Sequence, residues 1–161
     1  MMKLKQTPTL FLLITSMAFG AMAAEGPAHP KAGPNGGKLI TSVEPHAEFL
    51  VNPDRKIEIR FLTDDNRIVA PGEQVVTIIM GDRSAPARLV FGKEGEKLIS
   101  DKAIPEGNGL PTVLQIKSAP SAKAVTERFN LNLSQCPTCE QAEYACICTE
   151  EDHQGHDHQK Q

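Results

Sequence analysis

Between Lys38 and Leu133 apolar and polar residues alternate in short runs, each closed by turn-forming residues, which is the period of half-buried β-strands. The clearest run is Lys56–Thr63, where Ile57, Ile59 and Phe61 share one side and Glu58 and Arg60 the other. Glu127–Leu133 repeats the pattern with Phe129, Leu131 and Leu133. Shorter strands are expected at Lys38–Thr41, His46–Val51 and Thr112–Lys117, with an edge piece at Arg67–Val69. Ala87–Phe91 and Lys97–Ser100 flank Gly92-Lys-Glu-Gly95 and read as a hairpin. Gln74–Met80 is apolar and β-branched nearly throughout, which predicts a central strand covered on both faces. No helical period competes. With turns roughly every ten residues and about seven to nine strands, the chain reads as all-β, an antiparallel β-sandwich of immunoglobulin-like size.

Composition supports that reading. Twelve Gly and twelve Pro would interrupt helices, and 161 residues suffice for one core with tails. The formal charge of −3, with no basic stripe, argues against nucleic acid as a partner. Lys3 and Lys5, the apolar run Leu10–Phe19 and Ala21-Met22-Ala23 together read as a secretory signal peptide over residues 1–23. The apolar run is shorter than a membrane span and carries Thr15, Ser16 and Gly20. The expected mature protein is therefore periplasmic, without a membrane anchor, and its charge falls to −5 once the two leader lysines are gone. Residues 24–37, rich in Gly and Pro, are expected to be an extended or mobile lead-in to a sandwich domain at 38–134.

The chemistry collects behind the last strand. All four cysteines, Cys136, Cys139, Cys146 and Cys148, fall in a segment at 135–149 with the spacing C-x2-C-x6-C-x-C. Thiolates suit soft and borderline ions, so the quartet is a candidate tetrahedral site for Zn or Cu. An export signal also favours disulfides, for which four cysteines allow three pairings, and both readings stand on sequence. A thioredoxin-like role for Cys136-Pro-Thr-Cys139 fits poorly, because such pairs act from a helix N-terminus. The tail at 150–161 is polar and acidic and is expected to be disordered; its His153, His156 and His158 are candidate labile metal ligands. His29 and His46 are weaker candidates. No phosphate loop, G-x-S-x-G elbow or H-E-x-x-H helix occurs, so no catalytic residues are assigned and the chain is not expected to be an enzyme.

Gly33-Pro-Asn-Gly-Gly-Lys-Leu-Ile40 followed by Pro45-His-Ala-Glu-Phe-Leu-Val51 resembles the opening of small periplasmic proteins associated with heavy-metal efflux systems of the resistance-nodulation-division type. It is also similar to the front of the periplasmic adaptor subunits of those exporters, although an adaptor's helical hairpin and lipoyl-like parts are missing. The resemblance implies a periplasmic accessory protein that binds or buffers metal ions, with an efflux complex or another envelope protein as partner. It transfers no catalytic residue and marks His46 as a position to test. The alternative is a non-catalytic interaction module whose cysteines are disulfide staples.

Overall fold

The computed structural model describes residues 32–139 and 141–148. The leader at 1–23, His29 and the tail with His153, His156 and His158 lie outside the described residues. Nine strands run in chain order: β1 (Lys38–Ile40), β2 (His46–Val51), β3 (Ile57–Leu62), β4 (Ile68–Val69), β5 (Val75–Met80), β6 (Ala87–Glu94), β7 (Lys97–Ser100), β8 (Leu110–Lys117) and β9 (Val125–Leu131). One 3₁₀ turn follows at Glu143–Ala145. Every pairing is antiparallel, in the order β1-β2-β3-β7-β6-β5-β8-β9 with β4 on β3.

This continuous sheet curls into two facing layers. β6 serves both: Ala87 to Val90 pair with β5, and Phe91 to Glu94 pair with β7. The core lies between the layers, with Phe49, Ile59 and Phe61 from one side and Ile78, Leu114 and Leu131 from the other, all fully buried. Phe49 of β2 meets Phe129 of β9 edge-on, at 5.2 Å between ring centroids. Burying a side chain of this size is worth about 2–3 kcal/mol, so these aromatics anchor the two layers. The edge strands also approach each other: Ser42 donates to Glu127, and the Lys38 ammonium lies 5.5 Å from the Phe129 ring centre.

The alternation of Ile57, Ile59 and Phe61 is observed as read, all three being fully buried. Glu58, on the opposite side of the strand, is nonetheless only 5% exposed. Lys97, Arg60 and Asn52 cover it and donate to its carboxylate at 2.7, 2.8 and 3.2 Å. Burial raises its pKa, but the Lys97 and Asn52 hydrogen bonds and the two cations outweigh that and lower it.

One expectation needs correction. β5 is covered on one face only: Val76, Ile78 and Met80 point into the core, whereas Val75 is 40% exposed and Thr77 and Ile79 are half-buried. A run of β-branched residues specifies strand backbone, but whether its second face is covered depends on what the chain lays over it.

Candidate metal centre

β9 delivers the chain into the cysteine segment. Asn108 steers this passage, accepting from Leu133 N at 2.6 Å and donating to Ser134 Oγ at 2.8 Å. Gln135 then bridges Ala142 in antiparallel fashion, and Cys136 N donates to Gln141 O at 2.7 Å. Residues 135–136 and 141–142 thus pair as a miniature hairpin, with Cys136-Pro-Thr-Cys139 leading out of its first arm. The 3₁₀ turn brings the chain back so that Cys146 and Cys148 face the first pair.

The result is a convergence of all four sulfurs, whose Sγ atoms lie within 4.8 Å of one another. Cys136 and Cys146 are 3.4 Å apart, Cys139 and Cys146 3.7 Å, and Cys136 and Cys148 3.9 Å. A tetrahedron with metal–sulfur bonds of about 2.3 Å has edges of about 3.8 Å, so these separations match four ligands of one ion. They exceed the roughly 2.05 Å of a covalent disulfide. Cys136 is fully buried and the other three are partly exposed, so the cluster has a closed floor and an open rim.

Backbone amides prepare the cluster for negative charge. Cys148 N lies 3.4 Å from Cys146 Sγ. Burial raises the Cys139 thiol, but the N–H groups of Gln141 and Ile147, helped by the neighbouring thiols, bring it down to about 6. Burial pushes the Cys146 thiol up, and the sulfurs of Cys136 and Cys139 add to that against the opposing pull of the Cys148 N–H and thiol. Burial and then the sulfurs of Cys139, Cys146 and Cys136 raise Cys148, with nothing opposing them. The first proton therefore leaves Cys139 rather than Cys146 or Cys148, and those two resist a second negative charge unless a cation neutralises it.

Three features absent from the sequence reading hold this segment on the body. Tyr144, the chain's single tyrosine, is buried on the 3₁₀ turn between the two cysteine pairs. Its ring meets Phe49 edge-on at 5.6 Å, and its hydroxyl accepts from Val51 N at 3.1 Å. Glu48 is fully buried, yet it makes no ion pair among the described residues; Arg60, opposite it on β3, pairs with Glu58 instead. The Glu48 carboxylate accepts from Asn35 N at 2.8 Å, Asn35 Nδ2 at 2.7 Å and Gly37 N at 3.0 Å. The third feature is glycine. A Cβ on Gly33 would stand 2.3 Å from Glu48 Oε1, and one on Gly37 would stand 2.4 Å from Phe49 O. The last residues of the lead-in expected to be extended or mobile, 33–37, thus form a closed turn, while residues 24–31 lie outside the described residues. The turn abuts the cysteine segment, since Gly36 approaches Gln141.

The structure brings together Cys136, Cys139, Cys146 and Cys148 and places His46 elsewhere. Nδ1 of His46 is 3.1 Å from Val43 O, and its ring lies between the exposed carboxylates of Glu44, at 3.7 Å, and Asp64, at 3.4 Å. Fold and geometry define an antiparallel β-sandwich protein carrying a four-thiol cluster with the spacing of a metal site. No family model, curated protein or solved structure matches the chain.

Proposed function

We propose that this chain is a periplasmic metal-binding accessory protein that captures or buffers a transition metal, Zn or Cu, at Cys136, Cys139, Cys146 and Cys148. The observation that carries the reading is the tetrahedral spacing of the four sulfurs. Four thiolates around one ion suit Zn or Cu(I) better than harder ions, and N–H groups aimed at sulfur favour the anionic form such ions require. His153, which opens the histidine-bearing tail, comes five positions after Cys148. His153, His156 and His158 act in this reading as a weaker collector feeding the thiol site. The export leader and the resemblance of the Gly33–Val51 region support a periplasmic address and a link to heavy-metal efflux.

A second reading is favoured by the same leader and by the approach of the two halves of the quartet: Cys136–Cys146 is the shortest separation at 3.4 Å, and Cys139 with Cys146 at 3.7 Å and Cys136 with Cys148 at 3.9 Å make one complete pairing of the four sulfurs. In an oxidising compartment these pairs become disulfides, and the protein acts as an interaction module for another envelope protein. Native mass spectrometry with a thiol count on exported protein separates the two. One metal ion per chain with titratable thiols, lost in Cys136→Ser, is the expected result. A metal-free mass four protons lighter than the reduced chain overturns the metal reading. Deleting residues 150–161 should lower total metal uptake while sparing the thiol site; unchanged uptake removes the tail from the mechanism.

A further inference from the structure

The uncovered face of β5 belongs to a cleft of about 610 Å³ at the β5–β6 turn, roofed by none of the described residues. Its floor is a register row: Ile79 of β5 pairs with Val113 of β8, which pairs with Arg128 of β9. Pro86 and Pro111 form apolar walls, and Arg83 reaches in from the turn. With strands about 4.8 Å apart, Arg128 stands roughly 10 Å from Ile79, so a guanidinium borders an aliphatic strip.

The charge on this face is one-sided. Alternation places Val75, Thr77, Ile79, Val113, Gln115, Lys117, Thr126 and Arg128 on the outer side of β5, β8 and β9, and none is a carboxylate. The guanidinium groups of Arg83 and Arg128 have no ion-pair or hydrogen-bond partner among the described residues, although the chain carries more acidic than basic side chains. The nearest acid in sequence to Arg83 is Asp82, whose Oδ1 accepts from Ser84 N and Ser84 Oγ, both at 2.7 Å, and which makes no ion pair with Arg83.

We propose that this cleft binds a small amphipathic organic anion, its carboxylate or sulfonate held between Arg83 and Arg128 and its apolar body laid on Ile79 and Val113. The volume lies within the roughly 300–1,000 Å³ of small-molecule sites, which pair mostly apolar walls with a few orienting polar groups. Guanidinium forks match planar or tetrahedral oxyanions and form strong charge-assisted hydrogen bonds. The chain's own acidic tail is the wrong occupant, because Thr149–Gln161 contains no apolar residue to cover the strip. No cysteine lines the cleft, so this inference does not depend on metal binding.

The test titrates the full mature chain with anilinonaphthalenesulfonate, a sulfonate on an apolar body, with its neutral analogue N-phenylnaphthylamine, and with dodecanoate as competitor. Binding should be saturable at one site, with amide shifts at Ile79, Val113 and Arg128, and dodecanoate should displace the probe. Arg83→Gln and Arg128→Gln should each weaken sulfonate and dodecanoate binding about tenfold or more, as loss of a charged hydrogen bond implies, and leave the neutral analogue unaffected. Both side chains are exposed, so unchanged circular dichroism is expected in the variants. Equal affinity in wild type and variants, unsaturable binding, shifts confined elsewhere, or displacement by polyglutamate as effective as by dodecanoate would overturn the proposal.

Discussion

Glu48→Gln tests how the Gly-rich turn is held. The substitution keeps size and shape but replaces one acceptor oxygen by an amide NH2 and removes the charge. If the remaining oxygen occupies the Oε1 position, Asn35 N and Gly37 N keep bonds at 2.8 and 3.0 Å to a neutral acceptor. The new NH2 then faces Asn35 Nδ2, donor against donor, where a 2.7 Å bond stood. Hydrogen bonds to a charged group contribute about 1.5–3 kcal/mol each and neutral ones about 1 kcal/mol. Weakening two and losing a third costs about 2–4 kcal/mol, tempered by whatever Asn35 recovers by turning its amide over. With a urea slope of about 1–3 kcal/mol per molar, the midpoint should fall by about 1 M or more. Metal-free, reduced protein is the proper material, because it keeps the thiols out of the comparison. Asn35→Ala made in both backgrounds completes a double-mutant cycle and should show non-additivity. A loss of stability below about 0.5 kcal/mol, the size of an ordinary surface substitution, would refute the role assigned to Glu48.

Tyr144→Phe leaves Val51 N without its acceptor and should cost about 1 kcal/mol in chemical denaturation, with faster amide exchange at Val51. Glu58 has a lowered pKa in the folded state, so its contribution is complete above the ordinary value of 4.5 and is lost as pH falls through the folded value. Glu58→Gln should therefore flatten the acid limb of the stability profile below about pH 4.5, and an unchanged limb would assign acid sensitivity elsewhere. The raised thiols of Cys146 and Cys148 must surrender protons to a bound cation, so zinc affinity should fall about tenfold or more per unit as pH drops from about 8 towards 6. A flat competition titration would contradict ligation by these sulfurs.

The strands were legible because alternation is a local property: Ile57, Ile59 and Phe61 must share a side whatever lies beyond them. Val75–Met80 exposes the limit of that logic, since the same β-branched run serves a strand covered on both faces or on one. The cysteine spacing left a ligand set and disulfides both open, and convergence of the four sulfurs depends on the hairpin closed by Cys136 N and Gln141 O and on the 3₁₀ turn behind it. Tyr144 carried a faint signal as the only tyrosine, set between two cysteine pairs. Glu48 carried none. In sequence it is a polar residue in an alternating strand, and only the fold sets residues 33–37 against it, 11 to 13 positions away for the donors it receives.

β6 passes from one layer to the other without a break, pairing through Val90 with β5 and from Phe91 with β7. The two layers therefore share a backbone ladder, and neither can open by hinging at a loop. Local opening is confined to segments outside that ladder, while slow-exchanging amides on both sides should report one global unfolding free energy. In these terms the cysteine segment is joined to a single cooperative unit, and an ion bound there would slow the opening of strands far from the sulfurs only by stabilising the whole.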